Sequence, residues 1–244
     1  SQLLELKSQL KSNIILVEDT RDNYTYAPTI RPHIISKFLS FYPHLKNKKM
    51  FYHDSDICFT YSSLPNWEYM INSNSWFVSD TRNYLNYDYI IEKGTDILLD
   101  ICECVGIHPL LVRRNKEHTG GCQYLLYGTD EEFWNQVEIT SEKIFRLSDR
   151  ENLYATQWAR CSKSNVETYH PFQYWVADMM AIQLLAWKNG FDTKIHEDLS
   201  FAWACGMNHS YESFKIYHNA GITGDMYRVF FKAAYRTSFP YDID

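Results

Sequence analysis

The chain has 244 residues, 45% hydrophobic and 16% aromatic, with only 9 Gly and 7 Pro, so it can bury a core and is neither collagen-like nor disordered by composition. A formal net charge of −6 argues against a general electrostatic clamp on nucleic acid, though not against a local basic patch. Cys58, Cys102, Cys104, Cys122, Cys161 and Cys205 form no CxxC pair, which predicts reduced thiols in a cytoplasm, and neither a signal peptide nor a run of membrane-span length is expected. In chain order, SQLLELKSQLK predicts a short amphipathic helix and NIILVED a buried strand. After the polar loop DTRDNYTYAPT, Pro28 starts a helix running to about Ser40, because a proline in the first turn loses no hydrogen bond. MFYH predicts a second strand that delivers Asp54 and Asp56 at its end. SWFVSD predicts a third, ending on Asp80. TDILLDICECVG is a helix closed by Gly106, on which Cys102 and Cys104 diverge and share no metal. GGCQYLLYG predicts a strand after a glycine turn. TDEEFWNQVEITSEKIFRLS predicts a helix with Thr129 as its N-cap and acids in its first turn. PFQYWVADMMAIQLLAWKNG is the longest helix candidate, apolar nearly all round and stopped by Gly190. FDTKI, FAWA and KIYH predict short strands. Strands alternating with helices predict one α/β domain over residues 1–244, with a mixed, mostly parallel sheet flanked by helices.

In such a sheet, ligands bind beyond the carboxyl ends of the strands, where Asp54, Asp56 and Asp80 are expected. The Asp-Ser-Asp pattern alone is weak, since Asp242-Ile-Asp244 repeats it at the tail, where it predicts only a solvated terminus. The context is stronger: two charges at the end of an apolar strand are costly without a ligand or partner, and two hard oxygens suit Mg²⁺ or Mn²⁺. A plain surface turn is the other reading. In YHNAGITG, His218 is a candidate third ligand, or else an ordinary core or surface histidine. Gly221 lets a backbone approach a diphosphate, and Lys232 in VFFKAAY can neutralise phosphate charge. In HTGGCQYLL, Gly120 and Gly121 admit close approach and Gln123 can hydrogen-bond hydroxyls, unless the glycines only make a tight turn. Asp80, Glu197 and Asp198 are candidates for sugar contacts or general-base work, or simply solvated acids. Asp178 is either buried and functional or on the one polar stripe of its helix. The run RRNKEH, residues 113–118, is a solvated loop or a contact for a polyanion. No P-loop, GxGxxG, GxSxG or HExxH is present.

Taken in order, DSD, SDTRNY, NYDYI, TGGCQYL, HPFQYW, YHNAGITG and FFKAAY resemble a group of GT-A-fold glycosyltransferases from bacteriophage and phage-derived sequences. That group is similar to the TET/JBP-associated glycosyltransferases, which sugar-modify hydroxymethylated pyrimidines in DNA, and more distantly to glycogenin-like enzymes. The resemblance runs from about residue 19 to FPYD near the end. It implies a Rossmann-like GT-A fold and a metal-dependent transfer of sugar from a nucleotide-sugar donor, of the UDP type, to an acceptor hydroxyl. It implies Asp54, Asp56 and His218 as ligands of Mn²⁺ or Mg²⁺, with Asp54 also on the donor and Gly221 and Lys232 by the phosphates. Lys232 lies further from the histidine than in glycogenin-like enzymes. Asp80, Gly120, Gly121 and Gln123 are implied at the sugar site, and His170 and Gln173 near the donor–acceptor junction. Asp80 and Gln173, with Glu197 from the reading of the acids above, are the candidates for the chemistry. DNA of a phage-infected bacterium is the implied acceptor, in the cytoplasm and with no membrane partner. The chain departs from the family at its start, where the first strand and helix that grip the nucleotide base are expected to be missing. A glycan or small-molecule acceptor, a non-catalytic carbohydrate-binding relic and a metal-dependent hydrolase remain open beside this reading.

Overall fold

The computed structural model describes residues 13–60, 64–149, 171–206, 208–222, 224, 226 and 230–235. The opening helix predicted for SQLLELKSQLK, His170 and the 242–244 tail lie outside these residues. Helix α1 (Ile30–Phe41) follows a 3-10 turn at Ala27–Thr29 that Pro28 begins, as the fixed proline φ dictates. Two short helices, α2 (Trp67–Ile71) and α3 (Arg82–Leu85), come next, and α4 (Tyr87–Lys93) follows. Helix α5 (Thr95–Val105) closes on Gly106 in the left-handed conformation, and α6 (Pro109–Arg114) precedes the central strand. Helix α7 (Glu131–Arg146) is capped by the Asp130 carboxylate, which accepts from the Phe133 N–H at 3.0 Å, so the cap is Asp130 rather than Thr129. Helix α8 (Ala177–Lys188) is buried along nearly its whole circumference, as its all-apolar sequence predicts.

Among the described residues, seven strands form two sheets. The first has the order β1-β4-β3-β5, from β1 (Met50–Tyr52), β4 (Gly120–Leu126), β3 (Trp76–Asp80) and β5 (Thr193–Ile195). The second has the order β2-β7-β6, from β2 (Ile57–Phe59), β7 (Ile216–His218) and β6 (Phe201–Trp203). The chain is therefore α/β, but the mostly parallel sheet is corrected: β4 runs antiparallel to both β1 and β3, β2 runs antiparallel to β7, and among the described residues only β3–β5 and β6–β7 are parallel. Every residue of β4 is buried, so its sequence lacks the in–out alternation that ordinarily marks an antiparallel strand. NIILVED forms no strand either, and Leu16 is 75% exposed: an apolar run becomes a strand only where a neighbour takes up its backbone hydrogen bonds.

The topology fixes one edge. Because β1 and β3 are both antiparallel to β4, they run the same way, and β5 runs with β3. The carboxyl ends of β1, β3 and β5 thus meet the amino end of β4 on one side of the sheet. Helix α8 packs over β4, and α7 packs on α8 and α1. The core centres on Trp76, Trp134, Tyr124 and Ile182, all at most 1% exposed.

Candidate functional site

The strand register builds the site. β1 and β4 pair Met50 with Leu126 and Tyr52 with Tyr124, and two more residues along that register bring Asp54 beside Cys122. β2 and β7 pair Ile57 with His218, which sets the turn carrying Asp56 next to the imidazole, and Asn219 N–H donates to the Asp56 carbonyl at 3.0 Å. His218 Nε2 lies 3.3 Å from both Asp54 Oδ2 and Asp56 Oδ1. The other oxygen of each aspartate is held by a cation: Asp54 Oδ1 by Arg31, Asp56 Oδ2 by Lys232. Lys232 also donates to the Asn219 carbonyl at 3.1 Å. Arg31 spans to the Asp178 carboxylate, whose second oxygen lies 2.9 Å from Tyr26 Oη. The cations arrive from residues 31 and 232, far from the aspartates in sequence.

The electrostatics follow from these contacts. Burial alone would lower the His218 pKa, but hydrogen bonds with Asp56 and Cys122 outweigh it and push it up to about 9. Burial works against the Asp56 charge, yet His218 and Lys232 hold that carboxyl below the usual range. Burial likewise opposes the Arg31 charge, and Asp178 overrides it. His218 is only 4% exposed, and its Nδ1 has no hydrogen-bond partner among the described residues; Tyr52 Oη and Tyr124 Oη are buried in the same condition.

These groups face a cleft of about 880 Å³. Of the residues singled out in the sequence, Asp54, Asp56, Gln173, Asp178, His218, Gly221 and Lys232 line it. Gly221 has φ +77°, and a Cβ there would stand 3.0 Å from Cys205 Sγ and 3.2 Å from the Trp203 ring, so both conformation and packing require glycine.

The others lie elsewhere. Gly120 and Gly121 are spent on the core: a Cβ on Gly120 would meet Val78 Cγ2 at 2.2 Å, and one on Gly121 would meet Met179 Cε at 2.4 Å. Gln123 is fully buried and accepts from Ser79 Oγ at 2.8 Å. Asp80 pairs with Arg82 at 2.8 Å in a neighbouring cleft of about 800 Å³, across the Asn83 and Trp203 side chains that both clefts share. The hydrogen bond from Arg82 holds its carboxyl below the usual range. Glu197 is exposed and follows β5, with β3 and β4 between it and β1. Asp198 is committed to the fold, accepting from the Asn66 N–H at 2.6 Å and pairing with Lys215 at 2.6 Å.

No family model, curated protein or solved structure matches the chain.

What the cleft can do chemically rests on its donors. Carboxylates are ligands of Mn²⁺ and Mg²⁺, and imidazole of softer divalent ions. His218 Nε2 lies 3.3 Å from an oxygen of each aspartate, and the donor atoms of Asp54, Cys122 and His218 all lie within 4.8 Å of one another, a group that leaves Asp56 out. Asp54, Cys122 and His218 therefore offer donor types that fit a divalent cation. Sequence reasoning missed Arg31, Cys122 and Trp175. Trp175 lines the same cleft and is 62% exposed, an unusual position for so large an apolar ring. Among the described residues no helix is long and apolar enough to cross a membrane.

Proposed function

We propose that the chain is a metal-dependent glycosyltransferase of GT-A type, moving a sugar from a nucleotide sugar to an acceptor hydroxyl. The observation that carries this reading is the convergence of Asp54 and Asp56 on His218, with Lys232 and Gly221 in the same cleft. Asp54, Asp56 and His218 are the residues to hold the cation, which supplies Lewis-acid neutralisation of a leaving diphosphate. Lys232 adds positive charge beside it, and Gly221 leaves its backbone N–H open to approach by a phosphate oxygen. Arg31 orients the Asp54 carboxylate by holding its outer oxygen, as supporting groups do for metal ligands. Trp175 and Trp203 offer apolar ring faces for a base or a sugar. The neighbouring cleft, with Asp80 and Arg82, is the place for the acceptor. A hydroxymethylated pyrimidine in DNA is the acceptor this reading favours, presented single-stranded or flipped out.

The test is turnover of a panel of UDP-sugars with Mn²⁺, followed by release of UDP, for the wild type and for Asp54→Ala and His218→Ala. Both substitutions are expected to cut turnover by about 100-fold or more, since even supporting groups of a metal site are worth 10–100-fold. Wild-type rates in both variants would remove the assignment.

A further inference from the structure

Cys122 plays no part in the reading above, yet its placement is the least ordinary in the cleft. It sits in a bulge: β3 and β4 pair Val78 with Tyr124 but Ser79 with Gly121, so Cys122 and Gln123 are left over on β4. It is the one described non-glycine residue with positive φ, at 65°. The left-handed conformation costs a residue with a side chain about 1–2 kcal/mol, and it falls on Cys122 itself, since neither Gly120 nor Gly121 before it has a positive φ. Bulges re-aim side chains, and strain of this kind collects at functional sites. Here the bulge aims a thiol at the cation site.

Two further observations point to a ligand. Asp54, Cys122 and His218 are the described residues whose donor atoms all lie within 4.8 Å of one another. His218, 4% exposed, turns its Nε2 to within 3.3 Å of Asp54 Oδ2, which aims a buried imidazole donor into the same place. We infer that Cys122 is a ligand of the cation held by Asp54 and His218, and that the site takes zinc(II). One sulfur, one nitrogen and one oxygen make a three-ligand zinc set with a fourth position for water or a phosphate oxygen. Hard Mg²⁺ favours oxygen and gains little from a thiolate. On binding, the thiol and imidazole protons pass to solvent, and the metal takes their place. Asp56, held by Lys232, stands beside this set. The inference rests on the cleft being a cation site, as the proposed function has it, and changes the donors and the metal.

Cobalt(II) reports the sulfur directly. The chain is titrated with CoCl₂ under argon, and absorbance is followed in the near ultraviolet, where a thiolate–cobalt bond gives a charge-transfer band. The band is expected in the wild type, lost in Cys122→Ser, displaced by one equivalent of Zn²⁺ and unmoved by a large excess of Mg²⁺. Cys122→Gly suits the backbone better than cysteine and is expected to fold at least as well while also losing the band, which separates ligation from folding. Cobalt binding without the band, or a band that survives in both variants, overturns the inference. UDP-sugar turnover is measured on the same samples. Manganese-dependent turnover unchanged in Cys122→Ser, with no band in the wild type, overturns the cysteine and keeps glycosyl transfer. A Cys122-dependent band with no turnover under zinc or manganese keeps the zinc site and overturns glycosyl transfer.

Discussion

The two neighbouring clefts hold similar residues in opposite arrangements. In the Asp80 cleft the acid pairs with Arg82, two residues away, and the Asp80 and Arg82 side chains are 38% and 41% exposed. Glu117 joins the same arginine at 3.0 Å. Such a pair closes locally and is solvated by water. In the other cleft, Asp54 and Asp56 are 20% exposed, and their partners arrive from four distant points: Arg31, Cys122, His218 and Lys232. Gathering charge from across the chain into a half-buried place costs desolvation and ordering, and proteins retain such clusters where a ligand uses them. The difference teaches that the number of charges around a cleft says little; how far they came and how deeply they sit says more.

Breaking the deeper cleft is expected to have the largest effect. Arg31→Met removes the cation between Asp54 and Asp178, and the Asp178 side chain, 3% exposed, is left buried without it. Breaking a buried pair from one side costs about 3–5 kcal/mol. Urea unfolding of the variant should show a midpoint shift of that size. The double variant Arg31→Met with Asp178→Leu should recover much of it, because the uncompensated charge is then gone too.

The next effect is pH-dependent. His218 has a folded pKa near 9, above the ordinary histidine value of about 6.5. A raised folded pKa means that the folded protein holds the proton more tightly than the unfolded chain. The stability this supplies is fully present below pH 6.5 and is lost as pH rises through 9. In metal-free protein, the thermal midpoint should fall between pH 6.5 and 9.5, and His218→Gln should flatten that part of the curve. Equal slopes in the two proteins would place the effect in another group.

Gly120→Ala comes third. Its Cβ would lie 2.4 Å from the Ser79 carbonyl oxygen, a backbone atom in a paired strand that cannot step aside alone. Overpacking of this kind costs about 1–3 kcal/mol. The loss should appear in unfolding with the cation affinity of the Asp54 cleft unchanged. Weaker cation binding at intact stability would instead return Gly120 to the site.

These contrasts show what was legible in the sequence. MFY, WFVSD and the TDEEFWNQ helix follow from period and capping, and each lies where its pattern predicts. Strand direction was not legible, because β4 is covered on both faces and lost its alternation. Asp54, Asp56, His218, Gly221 and Lys232 were legible because each sits in a short run of unusual composition. Asp178 was legible as an open choice, buried or on a polar stripe, and the fold buries it; Arg31 was not legible, since one arginine on a helix acquires meaning only when the fold joins it to that acid. Gly120 and Gly121 misled for a physical reason: a glycine marks a close approach without saying whether ligand or core approaches. The one sign of Cys122 is its place directly after two glycines, and a left-handed cysteine has no sequence signature.

The smallest effect completes the contrast. Arg82→Met removes the partner of Asp80, as Arg31→Met removes that of Asp178, so the chemistry of the two changes is the same. The Asp80 carboxylate, however, is left where water reaches it, and exposed pairs are worth about 1 kcal/mol or less. The Asp80 carboxyl loses the hydrogen bond that holds its pKa down, and should titrate closer to the ordinary range by carboxyl-carbon NMR. The stability change should shrink further in high salt, which screens exposed charges and barely reaches buried ones. A loss as large as that of Arg31→Met would mean that the Asp80 pair is also structural, and depth alone would then fail to separate the two clefts.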